Sequence, residues 1–117
     1  MTAYAIAHLQ PEGPPNEEVI EYIERIQSTM DPHGGRFLVH NTPVEVMEGG
    51  WPGAVVVLEF PTIEAARTWF ASPAYQELAP LRTRNMAGDV VLVDGVARDY
   101  DAAATAAAIR AEALRSG

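Results

Sequence analysis

Three short runs of punctuation constrain what this chain can become. Gly34-Gly35 precedes Arg36-Phe37-Leu38-Val39, Pro61 follows Val57-Leu58-Glu59-Phe60, and Ser72-Pro73 precedes Ala74-Tyr75. Paired glycines after a helical pattern end a helix, because the left-handed cap favours a residue without Cβ. A proline behind an apolar run closes a strand. Serine followed by proline caps a new helix and places the ring at its first position. The order that results is strand, helix, strand, strand, helix, strand.

The remaining elements fall into place around these marks. Tyr4 to Leu9 is a first strand, and three prolines and a glycine make Gln10 to Pro15 a loop. Asn16 is a good N-cap, with Glu17 and Glu18 where the helix dipole favours acids. Val19, Ile23, Ile26 and Met30 then form one face of an amphipathic helix. Phe37 to His40 reads as a second strand, and Val44-Glu45-Val46-Met47 alternates as a short return strand. Ala54 to Phe60 is apolar enough to be a central strand buried on both faces. Thr62 caps a helix bearing Ile63, Ala66, Trp69 and Phe70, and Val90 to Val93 is the last core strand. Residues 1–98 are expected to form one domain and residues 99–117 an appendage. Eight alanines between Asp101 and Ser116 give that tail high helix propensity, but only Ile109 and Leu114 could anchor it.

Composition excludes several kinds of chemistry. A chain of 117 residues is one domain and buries about two-thirds of its unfolded surface. All eight basic residues are arginine, so a lysine Schiff base or lysine general base is excluded. There is no cysteine, which removes thiol nucleophiles, disulfides and thiolate metal sites. A net charge of −8 argues against nucleic acid and anionic membrane surfaces as partners. Neither a signal peptide nor a membrane-length apolar run is visible, so the expected location is the cytoplasm.

The chain resembles the DUF1330 family of the dimeric α/β-barrel superfamily. The resemblance rests on Gly34-Gly35-Arg36-Phe37-Leu38, on Val44 to Gly49 with Trp51, and on Val57 to Pro61. Glu64-Ala65-Ala66 with Trp69, Ser72-Pro73 with Tyr75, Arg82, and Val91-Leu92-Val93 complete it, over roughly residues 3 to 96. It implies an α+β, ferredoxin-like βαββαβ domain with an antiparallel sheet in the order 4-1-3-2. Two such sheets would pair into a homodimer. The C-terminal helix lies beyond the resemblance and is expected to pack on the outside or on the partner. Relatives in the superfamily include cofactor-free monooxygenases, isomerases and cyclases, an analogy of fold alone.

Each candidate residue has a functional and a structural meaning. His8 and His40 are candidate general bases at neutral pH. Otherwise His8 is a solvated sheet-edge residue and His40 part of the turn Asn41-Thr42-Pro43. In the implied sheet they sit two strands apart, about 10 Å, too far to share a metal. No metal site and no cofactor are therefore expected. Tyr75 and Arg82, seven residues apart, share a face if Pro80 does not end the helix. Arg82 would hold a substrate carboxylate or pin the helix. Trp51 and Phe70 are candidate pocket walls, Trp51 alternatively a dimer contact. Arg36 and Glu59 read as a structural ion pair, worth about 3–5 kcal/mol to either partner if buried, with Glu59 alternatively a pocket acid or base. Gly34-Gly35 does not feed a helix and so is no phosphate loop.

The function expected is a small cofactor-independent enzyme acting on an apolar or aromatic metabolite. The alternative is a non-catalytic small-molecule-binding or dimer-assembly module.

Overall fold

A computed structural model describes residues 1–116. Strand β1 (Ala3–Pro11) is followed by helix α1 (Glu17–Met30) and a single 3₁₀ turn at Asp31–His33. Then come β2 (Arg36–Val39), β3 (Ala54–Phe60) and three helices, α2 (Ile63–Ala71), α3 (Pro73–Leu78) and α4 (Pro80–Thr83). Strand β4 (Met86–Asp94) and helix α5 (Ala102–Ser116) complete the chain. The sheet runs β2-β3-β1-β4, every neighbour antiparallel. This is the ferredoxin-like arrangement, with the helices of the repeat on one face.

The caps act where the sequence places them. Asn16 accepts the Val19 N–H at 3.0 Å, and Thr62 accepts that of Ala65 at 3.0 Å. The Ser72 hydroxyl donates to the Trp69 carbonyl at 2.6 Å and accepts from the Tyr75 N–H at 3.3 Å, joining the end of α2 to the start of α3. Gly34 is left-handed at φ 72°. A Cβ on Gly35 would lie 2.5 Å from the Phe60 ring, so this glycine lets the chain turn against the end of β3. Two of the three punctuation marks are thus in direct contact.

The core lies between the sheet and helices α1 to α3. Phe60, Trp69 and Tyr75 stack in sequence, with ring centres 5.2 and 4.4 Å apart. The indole N–H of Trp69 donates to the Thr29 hydroxyl at 3.0 Å, and that hydroxyl donates to the Ile26 carbonyl at 2.7 Å. Ala3, Met30, Phe60, Ala66 and Leu78 are fully buried around this stack.

Three expectations need correction. Val44 to Met47 forms no strand: residues 40–53 are irregular, and Met47 is 85% exposed. Beyond β2 that segment meets no neighbouring strand, and alternation alone does not supply hydrogen-bond partners. Ile23, counted into the core face of α1, is 44% exposed, whereas Thr29 is buried. Within one chain, strand β3 is covered on one face only: Leu58 and Phe60 are buried, but Val55, Val57 and Glu59 on the other face are not.

Helix α5 carries no buried residue. Ile109 and Leu114 are 64% and 77% exposed. The radius of gyration of 17.3 Å exceeds the roughly 13 Å of a compact chain this long. No helix among the described residues is long and apolar enough to cross a membrane.

Truncation after Arg98 is expected to shift the melting temperature by less than about 3 °C, because no buried apolar surface is lost. Aggregation of the shortened protein, or a drop beyond about 10 °C, would make the tail part of the fold. A second expectation concerns the start of α1. Arg84 donates to Glu18 at 3.1 Å and Asn85 at 2.9 Å, tying α1 to the connection before β4. The Arg84 guanidinium, and after it the Asn85 amide, hold the Glu18 carboxyl down at about 2 against an ordinary 4.5. A depressed folded pKa stabilises above the unfolded value and is lost as pH falls through the folded one. Glu18→Gln should therefore melt below wild type at pH 7, with the gap closing between pH 4.5 and pH 2. A gap independent of pH would show that the charge is not responsible.

Candidate active site

The helix layer is tight against the sheet at one end and parts from it at the other. Ala3 and Phe60, paired across β1 and β3, are both fully buried. At the far end of the same strands a cleft of about 390 Å³ opens between the sheet and α1. Leu9, Val19, Ile23, Val56 and Met86 give it an apolar lining, and the proline-rich loop after β1 forms a wall. Asn16, Asn85 and His40 are polar members of that lining. The Asn16 amide donates to the Asn85 side-chain oxygen at 2.6 Å, which closes the cleft between α1 and the start of β4. His40 follows β2 directly and packs on Phe37, ring centres 4.6 Å apart. Next to it Asn41 holds the left-handed φ of 55° that turns the chain away from the sheet.

Deeper in, a chamber of about 40 Å³ shares Leu9 and Val56 with the cleft. Tyr22, Tyr75 and Arg82 supply its polar groups. The two tyrosine hydroxyls are 3.0 Å apart, and the Arg82 guanidinium sits over the Tyr22 ring, 5.7 Å from its centre. Burial, and then the adjoining Tyr75 hydroxyl, push the Tyr22 phenol well above its ordinary pKa. Burial works against the Arg82 charge, but the Tyr75 and Tyr22 hydroxyls together outweigh it, so its pKa is raised. Tyr22 is therefore neutral and Arg82 charged across the usual pH range. Helix α3 does break, at Ala79, yet the short α4 that follows brings Arg82 back beside Tyr75.

The other sequence candidates lie elsewhere. His8 points to the opposite, helix-free face of the sheet, with Tyr4 and Ile6. There its ring packs on Trp51 at 4.5 Å, and its Nε2 contacts the Pro52 carbonyl oxygen. Phe70 lies on α2 with its ring 5.3 Å from Tyr75. Neither Trp51 nor Phe70 lines the cleft or the chamber. Arg36 Nε donates to Glu59 Oε1 at 2.9 Å across β2 and β3. With Arg36 65% and Glu59 29% exposed, the pair within one chain belongs to the screened class worth about 0–1 kcal/mol, not the 3–5 of a buried pair. Among the described residues no group of three or more His, Asp or Glu is placed to hold a metal ion.

Tyr22 lines the chamber and Asn16 and Asn85 the cleft, none of them assigned there from sequence. Tyr22 had a signal: it stands three residues after Val19 and four before Ile26, on the buried face of α1. Asn16 was legible as a cap but not as a cleft residue, because its partner Asn85 is 69 positions away.

Comparison with known proteins agrees with the fold. The structure is similar to the RPA0582 protein of unknown function from Rhodopseudomonas palustris, at 14% identity and TM-score 0.62, over 82% of this chain and 83% of that one. It is similar to SnoaB, a cofactor-independent oxygenase from Streptomyces nogalater, at 15% identity and TM-score 0.60, over 86% of this chain and 98% of that one. A dimeric ferredoxin-like protein of unknown function from Jannaschia sp. CCS1 aligns at 14% identity and TM-score 0.53, over 81% of this chain and all of that one (100%). No curated protein matches the chain. The family model for a domain of unknown function, DUF1330, matches residues 2–96, and the chain belongs to that family.

Proposed function

We propose that the protein is a small cofactor-independent enzyme, working as a homodimer, that acts on an apolar or aromatic metabolite. The observation that carries this reading is the 390 Å³ cleft, apolar along its walls, with an imidazole in its lining and a cationic chamber at its base. Ligand sites have this form: a concave apolar surface with a few convergent polar groups. The fold shared with SnoaB, a cofactor-independent oxygenase, supports the reaction class. The dimeric protein from Jannaschia supports the assembly. So does the helix-free sheet face, where Ile6, Val57 and Val91 lie side by side.

The roles follow from position. His40 lines the cleft and is the general base; it takes a proton from an acidic carbon or hydroxyl of the substrate. Arg82 and Tyr75 are polar anchors, the first by charge and the second by its hydroxyl. Apolar walls exclude water and hold a ring substrate in place. His8 takes no part in this scheme, since it faces the other side of the sheet. Trp51, stacked on it, belongs to the surface where the second subunit would pack. Proton removal is the step assigned to His40.

A carbon acid that suits the cleft tests this without knowledge of the natural substrate. In deuterated buffer the protein should accelerate exchange of the C1 protons of 2-tetralone, followed by proton NMR. His40→Gln should lower the accelerated rate about 100-fold or more, while His8→Gln should leave it largely intact. Exchange no faster than in buffer would remove the enzymatic reading and leave a binding module. Equal loss in both variants would contradict the assignment of the base.

A further inference from the structure

The small chamber carries a charge that no carboxylate among the described residues pairs with. Arg82 is only 7% exposed. A buried guanidinium is costly unless a counter-charge or several acceptors face it. The ion pairs among the described residues use Arg25, Arg36, Arg84 and Arg115, and none uses Arg82. What surrounds Arg82 instead is neutral: the Tyr22 ring face and the hydroxyls of Tyr22 and Tyr75. Arginine does not shed its proton, so the charge stays available to a ligand.

The backbone also keeps space there. A Cβ on Gly88 of β4 would stand 2.7 Å from Leu9 Cδ2 and 3.3 Å from Arg82 Nη1. Any larger residue would press Leu9 and Arg82 into the chamber. The chamber's 40 Å³ admits a water or one small functional group. Leu9 and Val56, which border both spaces, let such a group lie against Arg82 while the body attached to it occupies the cleft.

We propose that the metabolite is an apolar or aromatic carboxylate, its carboxylate received by Arg82 and by the Tyr22 and Tyr75 hydroxyls. This rests on the cleft being the ligand site, as argued above. A planar carboxylate matches a guanidinium fork in two parallel hydrogen bonds, and whichever hydroxyl accepts in the Tyr22–Tyr75 bond keeps its own proton as a further donor. A phosphate, with more oxygens and greater bulk, exceeds both the donors and the room.

Two probes of one shape separate this from the broader reading. 1-Naphthoate and 1-naphthamide differ in the charge of a single group of nearly equal size. Calorimetric titration at pH 7 should give wild-type protein about tenfold or greater preference for the naphthoate. Arg82→Gln should abolish the preference while keeping the naphthamide affinity. Equal wild-type affinity for the two probes would overturn the carboxylate assignment and leave the cleft as an apolar site. Binding of neither probe would overturn both. The wild-type comparison stands by itself should the variant fail to fold, and retention of the preference by a folded variant would remove Arg82 from the assignment.

Discussion

The stack of Phe60, Trp69 and Tyr75 sets the shape of the molecule. It joins β3 to α2 and α3, and the Trp69 indole N–H reaches across to Thr29 on α1. Trp69 therefore ties α1, α2 and α3 to one end of the sheet. The Phe60 ring and Met30 both pack close to Gly35, so little else fits there. With the helices anchored at that end, α1 leaves the sheet at the other, and the cleft is the gap between them. A packed end and an open end are two consequences of one contact.

The second consequence lies on the reverse of the sheet. All the helices of the repeat cover the face that carries Ala5, Leu58 and Phe60. The other face shows Ile6, Val55 and Val57 next to Val91 and Val93, the last two 51% and 41% exposed. Apolar surface of that extent on a sheet is ordinarily covered. A second copy of the chain is the cover we propose, which leaves the cleft on the outer side of each sheet and open to solvent.

Much of the fold could be read from local chemistry. Asn16, Thr62 and Ser72 cap helices because each needs only its own side chain and an N–H three positions on. Gly34 was legible because a left-handed residue suits glycine wherever it occurs. What failed needed distant information. Val44 to Met47 has strand alternation but no strand to pair with. Ile23 has the right phase on α1, but phase gives a direction and not whether the layer is closed at that height. The site was legible in pieces. Tyr75 and Arg82 were expected to share a face only on an unbroken helix; the helix breaks at Ala79 and they line one chamber all the same, joined by Tyr22, 53 positions before Tyr75. The side of the sheet taken by His8 follows from alternation along β1. That of His40 does not, because it follows the register irregularity between Phe37 and Val39.

The account depends on the helix-free face being covered by a second chain. Light scattering during size-exclusion chromatography at micromolar concentration measures this directly. The prediction is a mass of about twice 12.7 kDa, unchanged on modest dilution. A stable, well-folded species at 12.7 kDa would contradict the account, because the valine-rich face would then stand open to water.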